Sequence, residues 1–114
     1  MPTANPLLVN ASAIGSGIAT FDTGAAKTHA IQAVWTSGTL TALTLVIEGT
    51  VDGTTFDALK TYVASASEIA AKKLMFHLAD QNVLKIRATI TKLTDSGTAD
   101  VSVHHLPFKE YVGF

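Results

Sequence analysis

The sequence predicts an all-β fold, a single antiparallel β-sandwich or jelly roll, and three observations predict it. Residues 83–92 alternate cleanly: Leu84, Ile86, Ala88 and Ile90 fall on one side, Lys85, Arg87, Thr89 and Thr91 on the other. A period of two marks a strand with one buried face. Leu43, Leu45 and Ile47 alternate in the same way with Thr44, Val46 and Glu48, and the run leads to Asp52-Gly53, a pair that tolerates the positive φ of a tight hairpin. Short apolar runs then recur along the chain with turn residues between them, enough for about seven or eight strands.

Residues 1–12 read as an extended arm, because Pro2 and Pro6 discourage helix. Leu7, Leu8 and Val9 form an apolar patch on it, suited to burial against a neighbouring subunit or to a first edge strand of the same domain. Residues 13–22 read as a weak strand with Ile14, Ile18 and Phe21 as its apolar positions. Gly15 and Gly17 within it mark a bulge or a close backbone approach. Residues 23–28 read as a turn. In the next strand, 29–36, Ile31, Ala33 and Trp35 share a face, with Trp35 as a core anchor. Ser37-Gly38 turns the chain into the central strand, 41–50.

After the Asp-Gly turn, residues 55–63 give a further strand. Ser65 and Glu68 have capping-box spacing, so a single helical turn is expected at 66–71. Leu74, Phe76 and Leu78 then alternate with Met75 and His77, which predicts a strand over 72–78. The alternating segment 83–92 follows, and Asp95-Ser96-Gly97 turns it into a last strand, 99–106, with Val101 and Val103 inward. Pro107 is expected to end that strand. The domain therefore reads as 13–106, flanked by the arm and by a tail, 107–114, that carries Phe108, Tyr111 and Phe114.

Composition narrows the function. The chain has 114 residues, one domain's worth, of which 47% are hydrophobic and only 15% charged. An average soluble domain carries roughly 25% charged residues. So few charges imply either a neutral Thr- and Ala-rich surface or a surface partly buried against partners. A net charge of −1 without a basic stripe argues against nucleic-acid binding. No apolar run reaches the roughly 20 residues that span a bilayer, which argues against a membrane role. The absence of cysteine excludes disulfides and thiolate metal sites. The first residues lack the charged and apolar regions of a secretory leader, so synthesis in a cytoplasm is expected.

Chemistry-bearing residues are sparse. His104 and His105 are adjacent on a predicted strand, so they point to opposite faces and cannot chelate one metal together. His77 could approach one of them across the sheet, but surface or interface imidazoles are the expectation, with no metal and no cofactor. Most acids lie at predicted turns. There is no Gly-x-Ser-x-Gly elbow and no glycine-rich phosphate loop. No catalytic residue is assigned, and the chain does not read as an enzyme. Arg87, the single arginine, reads as a solvated outer-face charge or as half of an intersubunit ion pair with an acid such as Glu48.

The segment Ile47-Glu48-Gly49-Thr50-Val51-Asp52-Gly53-Thr54-Thr55-Phe56 resembles one common in small structural proteins of tailed bacteriophages. There a strand ends in Glu-Gly-Ser/Thr, an Asp-Gly turn follows and an aromatic comes soon after. Residues 83–90, a strand carrying an arginine, and residues 98–103, a closing strand, fit the same pattern. The resemblance spans roughly residues 29–106, with Phe56 where that family often has Trp. It implies a virion structural protein, favoured as a capsid decoration (cement) protein on the outside of the shell. The implied partners are the major capsid protein and further copies of the chain, with a trimer favoured. The implied contact residues are Leu7, Leu8, Val9, Arg87, Phe108, Tyr111 and Phe114. A glycan- or receptor-binding module of a tail fibre and a low-copy head–tail connector are the competing expectations.

Overall fold

The computed structural model describes residues 5–17, 20–21, 26–78 and 85–109. Among them it holds nine strands and one short helix: β1 (Asn5–Ala11), β2 (Gly15–Ser16), β3 (Thr20–Phe21), β4 (Ala26–Val34), β5 (Leu40–Thr50), β6 (Asp57–Val63), α1 (Ala66–Ala71), β7 (Lys73–Leu78), β8 (Lys85–Asp95) and β9 (Val101–Lys109). The strands form two antiparallel sheets. Sheet A has the order β1-β9-β4-β7, and sheet B the order β2-β8-β5-β6, with β3 also pairing with β8. The fold is therefore the predicted β-sandwich.

The alternating positions supply its core. Leu43, Leu45 and Ile47 on β5 and Ile86, Ala88 and Ile90 on β8 are buried, each at most 1% exposed. Facing them from sheet A are Ile31 and Ala33 on β4, Val101 and Val103 on β9, and Leu74, Phe76 and Leu78 on β7. Removing a Leu, Ile or Val side chain from water contributes about 1.5–3 kcal/mol, so these two faces drive the assembly of the sheets. Trp35 is buried with them, as its sequence position predicts, together with Leu40 and Ala99.

Three connections shape the rim. At the first, Gly17 donates its N–H to the Ala88 carbonyl at 2.8 Å. A Cβ at this position would lie 1.9 Å from the Leu7 carbonyl oxygen, so the chain passes too close to β1 for any other residue. This is the close approach that the glycine pair suggests. At the second, α1 carries the chain from β6 in sheet B to β7 in sheet A. Its capping box is complete: Glu68 N–H donates to Ser65 Oγ at 3.2 Å, and Ser65 N–H donates to Glu68 Oε1 at 2.8 Å. Lys72 closes the helix in the left-handed region at φ 62°, which leaves α1 a single short segment.

The third is the β5–β6 connection, and it is not the tight hairpin that Asp52-Gly53 suggests. The ladder ends at the pair Gly49–Asp57, leaving a loop held by one carboxylate. Asp52 Oδ1 accepts hydrogen bonds from Thr50 Oγ1 at 2.9 Å, Thr54 N–H at 2.8 Å and Thr55 N–H at 2.7 Å. These donors hold the Asp52 carboxyl well below the usual carboxylate range. Gly53 takes the positive φ, 90°, that the loop requires.

The described residues of the two flanking segments, 5–11 and 107–109, lie in strands, and for the first of them the edge-strand alternative holds. Residues 5–11 are not an extended arm but strand β1, paired with β9 at the edge of sheet A. Leu7 is 2% exposed, because pairing turns it into the gap between the sheets. Ala26 and Thr28 belong to β4 rather than to a turn, opposite Lys109 and Phe108. Pro107 does not end β9: it pairs opposite His29, since the fixed φ of proline is compatible with extended chain. Tyr111 and Phe114, and the expected positions Ile18 and Leu84, lie outside the described residues.

Candidate functional site

The outer face of sheet B carries the best-organised polar cluster. Glu48 on β5 and Arg87 on β8 are direct cross-strand partners. Arg87 Nε donates to Glu48 Oε1 at 2.9 Å, and Thr89 Oγ1 donates to the same oxygen at 2.5 Å. Thr89 Oγ1 also lies 2.8 Å from Ser16 Oγ, which ties β2 to the cluster. The Arg87 guanidinium sits 3.9 Å from the centroid of the Phe56 ring, a cation–π contact. Burial works to raise the Glu48 carboxyl, but the hydrogen bonds from Thr89 and Arg87 and the arginine charge outweigh it and hold it below its ordinary value. The acid named as a partner for Arg87 is thus its partner within one chain, through sheet register rather than across subunits. Phe56, at the position of the resemblance's aromatic, serves as a platform for that arginine.

The apolar patch of the first strand divides by side. Leu7 belongs to the core and Leu8 packs partly against it, while Val9 is 67% exposed. Ile14, just before β2, is 65% exposed. The surface that this edge offers to a partner is therefore Val9 and Ile14 rather than the run Leu7 to Val9. Phe108 lies on β9 opposite Thr28.

A second carboxylate cluster organises the end of the sandwich where β4 turns into β5. Asp100 Oδ1 accepts the N–H groups of Thr36 at 3.0 Å and Ser37 at 3.1 Å, and its other oxygen accepts the Thr36 hydroxyl. Asp95 accepts Ser37 Oγ at 2.6 Å, the Thr39 hydroxyl, and Gly97 N–H at 2.8 Å. Side-chain hydrogen bonds, from Ser37 to Asp95 and from Thr36 to Asp100, are the leading reason why both carboxyls lie below the usual range. Apart from Gly97 N–H, the donors come from the β4–β5 connection, so these acids tie that turn to the β8–β9 turn on which they sit.

The histidines form a grouping that the sequence reading does not anticipate. His104 and His105 do face opposite ways, and only His105 is fully buried. His77 is exposed on β7, with β4 between it and β9. The partner of His105 is His29 on β4, which is also fully buried. His29 Nδ1 lies 2.8 Å from His105 Nε2, and the rings stack with centroids 5.0 Å apart. The signal was present in the alternation: His29 continues the inward row of Ile31 and Ala33, and His105 that of Val101 and Val103. Among the described residues, no group of three or more His, Cys, Asp or Glu side chains could hold a metal ion.

No protein-family model matches the chain, and no curated protein matches it. Among solved structures, the chain is similar to the crystal structure of the SPBc2 prophage-derived protein YomS, with a TM-score of 0.65 and 10% sequence identity. The match covers 94% of this chain and 92% of that one, so the two share the fold along nearly their whole length.

Proposed function

We propose that this chain is a structural protein of a tailed-bacteriophage particle, and within that class a decoration protein. It binds the outer surface of the capsid and ties neighbouring major capsid subunits together, as a homo-oligomer with the trimer favoured. The observation that carries this reading is the shared sandwich, end to end, with a prophage-derived protein. The resemblance of residues 29–106 to small phage structural proteins supports the same class independently.

The surface chemistry fits the role. The polar clusters on sheet B and at the β4–β5 end are spent on bracing the chain, which suits a rigid clamp rather than a catalyst. Val9 and Ile14 stand in solvent beside the first two strands, where an apolar contact with a shell subunit would bury them. Phe108, Tyr111 and Phe114 are proposed as a second contact on the strength of the sequence. Repeated around a symmetric oligomer, such contacts can each be weak and still hold the shell through multivalency.

The test is the copy number of the chain relative to the major shell protein, by quantitative mass spectrometry of purified particles. Copies comparable with the shell protein support decoration. A handful per particle moves the chain to the head–tail connector or tail. Absence from particles overturns the virion reading.

A further inference from the structure

The two sheets have four edges, and at three of them the described strands carry features that discourage a further strand from adding. β1 contains Pro6 and two register shifts against β9. β2 and β3 are two residues each. β6 has a register shift at Leu59, and Lys60, opposite Ile47 in the inward row, sets a charge at the rim of the core. β7 has none of these. Its six residues pair with β4 in unbroken register, from His29–Leu78 to Val34–Lys73. Its inward row is Leu74, Phe76 and Leu78, all apolar, and its outward row is Lys73, Met75 and His77.

Register also fixes where the backbone of β7 points. Trp35 donates its N–H to the Lys72 carbonyl at 3.1 Å, which sets the phase of the ladder that follows. In an antiparallel ladder, hydrogen-bonded pairs alternate with non-bonded ones. Leu74, Phe76 and Leu78 therefore direct their N–H and C=O groups to β4. Lys73, Met75 and His77 direct theirs to the open side, where no strand pairs among the described residues. Met75, at the centre of this row, is 58% exposed.

The row is complementary to a second copy of itself. Placed antiparallel about a two-fold axis at Met75, it sets Met75 against the partner's Met75 and Lys73 against the partner's His77. Each residue then meets one whose groups point back at it, and every open N–H and C=O of the row is paired. A shift of two residues in either direction leaves Lys73 or His77 without a counterpart. The two Met75 side chains, exposed in the single chain, cover each other across the axis. A groove of about 370 Å³ lies between Ser67, Glu68 and Ala71 of α1 and Lys73 to Met75 of β7, at the place that the end of the incoming strand would take.

We propose that β7 is a self-association edge: two copies join β7 to β7, antiparallel about a two-fold axis at Met75, and sheet A becomes continuous across the pair. One strand from each copy makes the contact, which places it among the small, reversible interfaces. It is independent of the shell contact proposed above. Acting alone it makes a dimer, and combined with a three-fold contact a hexamer, so the assembly is even-numbered either way.

The experiment is sedimentation of the full chain across a dilution series, with variants at Met75. The natural chain should form a reversible, even-numbered assembly at high concentration. Met75→Lys leaves the bonds to β4 in place and sets like charges opposite each other across the axis. With its circular dichroism unchanged, it should weaken association roughly tenfold or more. The chain has no cysteine, so Met75→Cys carries a single thiol. Opposed residues in this pairing lie about 5.5 Å apart at Cα, within disulfide reach. Mild oxidation should therefore link Met75→Cys chains into dimers, while Val51→Cys, an exposed thiol in the β5–β6 loop, stays largely unlinked. A monomer throughout the series overturns the proposal, as does an odd-numbered assembly. So does an assembly that Met75→Lys leaves intact, or equal cross-linking of the two cysteine variants. If Met75→Lys does not fold, the cysteine variants decide.

Discussion

Tyr62 and Phe76 stack nearly parallel, with ring centroids 4.6 Å apart and 6° between planes, and they join the two sheets. Tyr62 stands on β6 and Phe76 on β7. The Tyr62 hydroxyl donates to Glu68 Oε2 at 2.6 Å, so the acid that caps α1 also holds the ring. One carboxylate thus fixes the helix, the stack and the crossover. Tyr62→Phe keeps the stack and removes the hydrogen bond, and should cost about 0.5–1.5 kcal/mol in urea unfolding. Tyr62→Ala removes both and should cost about 3–5 kcal/mol.

Gly17 should tolerate no side chain. In Gly17→Ala the new Cβ meets the Leu7 backbone, which cannot swing aside as a flexible side chain can. A loss of about 1–3 kcal/mol is expected by analogy with overpacked cores, read as a lower thermal midpoint. A variant as stable as the natural chain would show that β1 can shift away from β2 at no cost.

Leu7 and Val9 sit two residues apart and should behave as opposites. Leu7→Ala empties a core position and should cost about 2–5 kcal/mol. Val9→Ser removes an exposed methyl pair and should change stability by no more than about 0.5 kcal/mol. Under the decoration reading, Val9→Ser combined with Ile14→Ser should weaken binding to undecorated shells while the circular dichroism spectrum is preserved. Unchanged shell binding would move the contact elsewhere.

The Glu48–Arg87 pair should couple measurably, since both side chains are under a third exposed. A double-mutant cycle with Glu48→Gln and Arg87→Met is expected to give about 0.5–1 kcal/mol, shrinking with added salt. Arg87→Lys should recover little of it, because the planar guanidinium that covers Phe56 is lost.

Acid should act on this protein in two stages. Asp95 and Asp100 titrate below their unfolded value of about 3.9, so their contribution is complete above that pH and is lost as pH falls below it. His105, also lowered, contributes in full above about 6.5 and loses its contribution as pH falls toward about 4. Asp100→Asn should flatten the lower limb of a stability–pH curve and leave the upper limb unchanged.

What the sequence made legible was local. The helical turn at 66–71 was readable because a capping box needs only Ser65 and Glu68 three residues apart. The faces of β5 and β8 were readable because alternation repeats within each strand. What escaped depended on pairing between distant segments. Leu7 on an arm and Leu7 on an edge strand have the same local pattern, and only its pairing with β9 separates them. Glu48 was a named partner for Arg87, but register placed the two on adjacent strands of one sheet. Asp52-Gly53 signalled a turn without showing where the ladder would stop. His29 and His105 each fitted an apolar row, and only the register of β4 against β9 set them side by side.

The order of sheet A also sets a schedule for folding. β9, near the end of the sequence, lies between β1 and β4, so sheet A lacks an interior strand until residues 101–109 have been synthesised. Before then β1 has no partner in its sheet, and β4 presents a bare hydrogen-bonding edge beside exposed Ile31 and Ala33. Sheet B, whose β5 pairs with β6 and β8, both earlier in the sequence than β9, can form first. A nascent chain stalled before residue 101 should therefore be sticky and chaperone-dependent, and the last step to the native state should be the insertion of one strand.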